Sequence, residues 1–191
     1  MKKRTLLALI ALVLIANSYA QKKEIENLEI DIKKSELKWS GEYAFYFGGH
    51  NGTISFKEGY FIKSNNVITG GEFIIDMNSI MCDDIEDNEA NESLVNHLKN
   101  EDFFNVKEFK TAKLVITSVD YHNDTQMKVN ANLTIKGITL PVNFQAEVNY
   151  EKQQMTSKFK IDRQRWGIDY NSKLRDGAIS DGIGFEVILS L

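Results

Sequence analysis

This 191-residue chain contains three histidines and one cysteine, which are among the residue types that most often bind metals or act as nucleophiles. They are His50, His97, His122 and Cys82. The histidines lie far apart in sequence, without the short spacings that place two imidazoles on one ion, and one cysteine leaves a structural zinc site almost without donors. We therefore predict no metal site. Cys82 is interpreted as a small buried hydrophobic residue, with a free thiol or an intermolecular link as alternatives.

An acidic run from Asp83 to Glu92 raises the question of calcium. An EF-hand loop needs glycine at its sixth position and glutamate at its twelfth. Counted from Asp84, those positions hold Glu89 and Val95, and counting from Asp87 fails in the same way. The run is therefore interpreted as a solvated loop.

No catalytic signature is present in the sequence. The chain has neither a Gly-x-Ser-x-Gly motif nor a phosphate-binding loop. Asp162, Asp169 and Asp176 could be imagined as acid–base partners, but the adjacent Arg163 and Arg165 indicate surface ion pairing instead. We predict that the protein is not an enzyme. The net charge of −4 also argues against a nucleic-acid partner, which requires a basic surface.

Short runs of alternating apolar and polar residues dominate the chain from residue 21 onward, which is typical of half-buried β-strands. In the clearest run, Val129, Ala131, Leu133 and Ile135 alternate with polar residues. The close spacing of the runs favours antiparallel pairing, because parallel crossovers need a dozen residues or more. The sequence therefore predicts an all-β fold, either an antiparallel barrel or a sandwich.

Turns and one helix are predicted between these strands. The predicted turns are Glu58-Gly59, Asn65-Asn66, Gly70-Gly71, Asn123-Asp124 and Lys136-Gly137. Leu94, Val95 and Leu98 have helical spacing, which predicts a short helix over Asn91–Lys99 with Asn91 as its N-cap.

The N-terminus resembles a secretory signal peptide. Lys2, Lys3 and Arg4 precede an apolar run from Leu6 to Ala16, and a small-x-small cleavage site ends at Ala20. A membrane anchor is the alternative, but a spanning helix needs about 20 apolar residues. No cysteine follows the run, so no lipid-modified N-terminus is expected. We predict that residues 1–20 are cleaved and that residues 21–191 form one domain in the periplasm or outside the cell.

Several strings of the sequence resemble the YceI-like family, in a form typical of its Bacteroidetes members. They occur in order along nearly the whole predicted mature chain: Asp31-Ile32-x-x-Ser35-x-Leu37-x-Trp39, Gly49-His50-Asn51-Gly52-Thr53-Ile54-Ser55-Phe56, Leu94-x-x-His97-Leu98-Lys99-x-x-Asp102-Phe103-Phe104, Asn132-Leu133-Thr134-Ile135-Lys136-Gly137 and Ile161-Asp162-Arg163-x-x-Trp166-Gly167. The chain departs from the family at Lys110, where a proline is usual, and at Ala131, where a glycine is common.

The resemblance implies a lipocalin-like antiparallel β-barrel of about eight strands, with the helix packed near one end. It also implies an exported protein that holds a polyprenoid, quinone or fatty amphiphile inside the barrel and contacts a membrane transiently for loading. A protein cofactor is not expected.

An apolar barrel lining is the candidate binding site. Twelve residues are predicted to line it: Phe45, Phe47, Ile54, Phe56, Phe73, Ile75, Met77, Leu133, Ile135, Phe144, Phe159 and Ile161. His50, within a glycine-rich segment, is the candidate head-group contact, or it simply caps a turn. On the residues alone, a solid core is an equally good interpretation. The alternative function is an exported stress-related structural or interaction module that binds no ligand. The sequence does not specify an oligomeric state.

Overall fold

The computed structural model describes residues 25–44, 47–170 and 179–191. The predicted signal peptide lies outside the described residues. The strands are β1 (Ile25–Glu29), β2 (Glu36–Tyr43), β3 (Gly49–Ser64), β4 (Val67–Asp76), β5 (Thr111–Tyr121), β6 (Gln126–Ile135), β7 (Ile138–Asn149), β8 (Gln154–Asp162) and β9 (Ile179–Ser190). Within these described residues one α-helix, α1, spans Asn88–Lys99, and short 3-10 helices span Met77–Ser79 and Arg163–Trp166.

The nine strands form one antiparallel sheet that closes on itself. The strand order is β1-β3-β2-β9-β8-β7-β6-β5-β4, and an additional pairing between β3 and β4 closes the ring. Strands β2 to β9 make up the closed eight-stranded barrel. Strand β1 pairs with residues 60–64 of β3, whereas β2 pairs with residues 49–54 on the same side of that strand. The predicted antiparallel β-barrel with one short helix is confirmed.

Alternate residues of each strand face the barrel interior. On β6, Met127, Val129, Ala131, Leu133 and Ile135 are all buried, while the residues between them are partly or fully exposed. This pattern follows from the period of two in a strand, which sends successive side chains to opposite faces of the sheet. The apolar face predicted from the sequence is the inner face of the barrel.

Two predicted turns are tight hairpins of the expected chemistry. Asn65 and Asn66 join β3 to β4 with φ angles of 52° and 65°, and Lys136 and Gly137 join β6 to β7 with φ angles of 49° and 75°. Positive φ at both central residues matches the right-handed twist of the flanking strands. Asparagine and glycine adopt this conformation at low cost.

Two other predicted turns are wrong. Residues 58–59 lie inside β3, and residues 70–71 lie inside β4. The register of β3 against β4 shifts between Phe56 and Glu58, as in a β-bulge. A Cβ on Gly59 would lie 2.6 Å from the ring of Phe73. Glycine is therefore needed here for close packing rather than for chain reversal.

The helix begins earlier than predicted. Helix α1 starts at Asn88, and Asp87 is its N-cap because the carboxylate accepts a hydrogen bond from the Ala90 N–H at 2.8 Å. The predicted N-cap, Asn91, lies in the first turn instead. Its side-chain amide donates to the carbonyls of Cys82 and Ile85, at 2.9 and 3.0 Å. Among the described residues, no helix is long and apolar enough to cross a bilayer.

Substitution of Ile135 with aspartate tests the assignment of the inner face. Ile135 is buried, whereas Asn132 on the opposite face of the same strand is exposed. We expect Ile135→Asp to lower the free energy of unfolding by about 3–5 kcal/mol, since it buries an unpaired charge. The control Asn132→Asp should cost less than about 1 kcal/mol. Urea denaturation measures both, and equal losses would contradict the assignment.

Candidate ligand-binding site

An apolar cavity of about 100 Å³, here called the inner cavity, lies within the barrel. Its lining comes from every strand except β1, from the 3-10 helix after β4 and from Phe104 after α1. Ser157 is the one hydroxyl in this lining, and it donates to the carbonyl of Gln145 at 2.7 Å. The inner cavity therefore offers apolar contact and no free polar group for chemistry.

Nine of the twelve predicted lining residues contact the inner cavity: Ile54, Phe56, Phe73, Ile75, Met77, Leu133, Ile135, Phe144 and Phe159. They come from β3, β4, β6, β7, β8 and the 3-10 helix that begins at Met77. The alternation of apolar and polar residues along each strand places these residues on the inner face of the sheet. Closure of the sheet then brings them around one space.

The other three predicted lining residues have different positions. Phe47 is fully exposed between β2 and β3, so its prediction as a lining residue is wrong. Strand β2 ends at Tyr43 and β3 begins at Gly49, so Phe47 lies outside both strands. Ile161 is buried against the core but lines neither this cavity nor the next one described. Phe45 lies outside the described residues.

Aromatic rings flank the inner cavity on two sides. On one side Phe144 stacks on Phe159 with ring centroids 4.6 Å apart, and Phe185 follows at 5.5 Å from Phe159. On the opposite part of the lining, Phe73 makes an edge contact with Phe56 at 6.4 Å. Such pairs hold large side chains in fixed positions, so they define the width of the space between them.

A second cavity of about 250 Å³, here called the outer cavity, lies beneath α1. Ile54, Phe104 and Phe185 line both cavities and thus form the wall between them. The remaining lining of the outer cavity mixes apolar and polar side chains: Trp39, Gly41, Glu42, Tyr43, His50, Ile80, Leu94, His97, Leu98, Phe103, Tyr170, Ile179 and Ile183. A chamber with a mixed but largely apolar lining therefore adjoins a purely apolar one at the helix end of the barrel.

His97 was not identified from the sequence as a candidate binding residue. It projects from α1 between the rings of Phe103 and Tyr170, at centroid distances of 5.6 and 4.5 Å. Its Nε2 atom is buried and has no hydrogen-bond partner among the described residues. Because a buried polar atom without a partner is costly, this nitrogen is a candidate contact for a polar ligand atom, which reaches it only when a neighbouring side chain moves. The signal in the sequence that placed His97 near the core was its position one residue before Leu98, an apolar residue of the predicted helix that is buried in the structure.

His50 is held by protein groups at both ring nitrogens. Nε2 lies 2.9 Å from Tyr43 Oη, and Nδ1 lies 3.0 Å from Asp84 Oδ2. Asp84 also accepts from the Asn51 N–H at 3.0 Å. His50 lines the outer cavity, but its hydrogen-bonding capacity is already used, so the prediction that it contacts a head group has less support than His97.

The segment from Asp162 to Gly167 is structural. Arg163 is 2% exposed, so the predicted surface ion pairing is wrong for this residue. Its guanidinium donates to the carbonyls of Ile168 and Ser180 and lies 3.2 Å from Asp181. Trp166 is fully buried and donates from its indole N–H to the Leu133 carbonyl at 3.1 Å. These bonds join the end of β8 to β6 and β9.

Cavity size limits what the barrel can hold in this conformation. Engineered cavities of about 150 Å³ accept benzene, and small-molecule sites span roughly 300–1,000 Å³. The volume of the inner cavity alone is below both values. The combined volume of the inner and outer cavities lies in the lower part of the range for small-molecule sites. A ligand must therefore occupy both cavities or displace side chains.

Comparison with known proteins places this architecture in a family. The YceI-like domain profile matches residues 28–191. The chain belongs to the YceI-like family. The resemblance stated from the sequence is thereby confirmed, and the match lies within the predicted domain 21–191.

Similar proteins occur in Staphylococcus aureus and Burkholderia cenocepacia. A UPF0312 protein of Staphylococcus aureus (strain USA300) is 36% identical over 104 residues, which cover 50% of this chain and 58% of that protein. The match thus spans little more than half the length of this curated relative. The crystal structure of Burkholderia cenocepacia BcnA superposes with a TM-score of 0.69 at 17% identity, covering 84% of this chain and 98% of that one. This likeness supports the fold, and the YceI-like barrel is a fold suited to binding small molecules.

Proposed function

We propose that the protein binds a single-tailed amphiphile, an isoprenoid, quinone-like or fatty compound, and carries or sequesters it without covalent chemistry. The observation that supports this most is the junction of the two cavities. An inner cavity with no free polar group adjoins an outer cavity lined by His97, whose buried Nε2 has no partner in the part of the chain that the structure describes. The tail would occupy the inner cavity, and the polar head would occupy the outer cavity.

The apolar lining accounts for capture of a tail from water. Burial of each methylene group is worth about 0.8 kcal/mol relative to water. Relative to a bilayer the gain is near zero, because the bilayer interior is already apolar. A barrel of this kind can therefore load and unload at a membrane while it shields the tail in transit.

His97 supports a neutral polar head group. A neutral imidazole nitrogen accepts from a hydroxyl or amide N–H, and its protonated form donates to a carbonyl. Glu42, also in the outer-cavity lining, carries a carboxylate that is paired with Lys160 at 3.2 Å. A hydroxyl, amide or quinone carbonyl would satisfy His97 without placing a second anion near Glu42.

Export completes the proposal. The basic, apolar and small-x-small segments of residues 1–20 support delivery of the barrel beyond the cytoplasmic membrane. In that compartment a carrier would meet membrane surfaces, and contact for loading would be transient.

The alternative is a barrel that binds no ligand and serves as an exported structural or interaction module. The observation that favours it is the small inner cavity, together with the dense packing of Met127 and Val129, both 0% exposed. Ligand binding by the purified protein separates the two functions.

Filling the inner cavity should abolish binding of a tail. Ala112 lies in the inner-cavity lining on β5, and the side chain of Val115 belongs to the opposite face of the same strand. We expect Ala112→Phe to weaken binding of cis-parinaric acid, followed by fluorescence titration, by at least about tenfold. A tenfold loss of affinity corresponds to about 1.4 kcal/mol, which is less than the free energy of burying two methylene groups.

The control Val115→Phe should bind like the wild type. If Ala112→Phe fails to fold, Ala112→Leu adds less volume and serves the same purpose. Saturable binding that is unchanged in a folded Ala112 variant would contradict occupation of the inner cavity. Absence of binding by the wild type would favour the interaction module.

Replacing His97 should change head-group preference and leave tail binding intact. His97→Phe keeps an aromatic ring between Phe103 and Tyr170 but removes Nε2. We expect affinity for octadecanol to fall by about two- to tenfold, the value of one hydrogen bond, while affinity for octadecane stays the same. His50→Ala, measured in a chelator-containing buffer, should leave both affinities and the fold unchanged. A loss confined to His50→Ala would assign the head-group contact to His50 instead.

A further inference from the structure

Three metal-ligating side chains of different types meet outside the barrel's apolar interior. The imidazole of His50, the thiol of Cys82 and the carboxylate of Asp84 each present one ligand atom, and these atoms lie within 4.8 Å of one another. The group, here called the His–Cys–Asp cluster, combines one residue of β3 with two residues of the segment after β4. The ligand-binding proposal uses none of these ligand atoms.

We propose that the His–Cys–Asp cluster is a binding site for Zn²⁺ or a similarly soft divalent cation. Nitrogen, sulfur and oxygen donors in one set suit Zn²⁺, whereas Ca²⁺ and Mg²⁺ require oxygen donors. Three protein ligands plus water make up a known type of zinc site with one open position. The proposal does not depend on lipid binding.

Two of the contacts within the cluster are close to the ligand separations around a small metal. His50 Nδ1 lies 3.0 Å from Asp84 Oδ2, and Cys82 Sγ lies 3.2 Å from Asp84 Oδ1. Two ligands on one tetrahedral zinc are about 3.3–3.8 Å apart, given bond lengths of 2.0–2.3 Å. Because one ligand atom from each residue lies within 4.8 Å of the other two, all three can bind one metal after side-chain shifts on the order of 1 Å.

Backbone pairing positions the cluster. The segment after β4 runs along β3, where the Met81 N–H donates to the Thr53 carbonyl at 3.0 Å and the Asp83 N–H donates to the Asn51 carbonyl at 2.9 Å. A Cβ on Gly52 would lie 1.9 Å from the Met81 carbonyl oxygen, so only glycine permits this approach. The site is thus built on the sheet rather than on a free loop.

Second bonds orient each ligand. Tyr43 Oη lies 2.9 Å from His50 Nε2, so this nitrogen can donate to the hydroxyl oxygen while Nδ1 presents its lone pair to the metal. The Asn51 N–H holds the Asp84 carboxylate, and the Asn91 amide holds the Cys82 carbonyl. Metal ligands commonly have partners of this kind, which fix the ring or carboxylate before the metal arrives.

Proton balance makes the proposal measurable. Burial raises the pKa of the Cys82 thiol, so the thiol is protonated at neutral pH. Burial opposes ionisation of Asp84, but hydrogen bonds from the Asn51 N–H, His50 and Cys82 together lower its pKa, so it is already a carboxylate. Metal binding should therefore release the thiol proton.

Cobalt(II) spectroscopy on the wild-type protein tests the proposal directly. The chain has one cysteine, so a thiolate-to-cobalt charge-transfer band would identify Cys82 as a ligand. We expect that band at one Co²⁺ per chain, its loss on addition of Zn²⁺, and release of about one proton per Zn²⁺ in calorimetry across buffers of different ionisation enthalpy.

Variants locate the site on the cluster. Cys82→Ser and Asp84→Asn should each weaken Zn²⁺ binding by at least about tenfold, whereas the neighbouring Asp83→Asn should leave it unchanged, since Asp83 is not part of the cluster. No saturable Co²⁺ binding at millimolar concentration would overturn the proposal. Binding without the charge-transfer band would overturn it too, by placing the ion on other ligands such as the acidic run. Neither result depends on whether the barrel binds a lipid.

Discussion

Closure of the sheet through the pairing of β3 with β4 is the constraint on which the rest of the structure depends. The 16 residues of β3 are long enough to pair with β4 along one side while β2 and β1 share the other. Without this closure, the strands would form an open sheet with unpaired edges and a large exposed apolar face. With it, the inner faces of eight strands enclose one space.

That enclosed space is not uniform, and its division suggests how it is used. Met127 and Val129 fill it densely on part of β6, whereas Leu133 and Ile135 on the same strand border the inner cavity. Beneath α1 the lining changes from purely apolar to mixed, and His97 supplies a buried nitrogen without a partner among the described residues. The change from a purely apolar to a mixed lining matches an amphiphile, and the total volume favours a slender one.

The sequence predicted the features that depend on local chemistry. A period of two along β6 and the positive-φ residues Asn66 and Gly137 identified strands and hairpins correctly, because sheet burial and turn geometry impose those residues directly. The predictions failed at positions where contacts between residues distant in the sequence determine the local structure. The glycines at 59 and 71 lie in strands because neighbouring groups approach too closely for a Cβ: the Phe73 ring at Gly59 and the Tyr60 carbonyl at Gly71.

The candidate sites show the same division. Nine lining residues were identified from alternation, but Phe47 continues the pattern into a turn where no sheet remains to face inward. The environment of His97 depends on where α1 lands over the barrel, and the approach of Cys82 and Asp84 to His50 depends on pairing between β3 and a segment some thirty residues away. Neither arrangement produces a pattern in the spacing of residues along the sequence, so it is visible only in the folded structure.

Native mass spectrometry of the protein purified from its own host, with organic extraction of any adduct, tests directly whether the barrel carries a ligand. We expect one bound compound of several hundred daltons per chain, with a single apolar tail and a small polar head. A mass equal to that of the bare chain, unchanged after incubation with quinones, polyprenols and fatty amides, would contradict it and favour a barrel that binds no ligand.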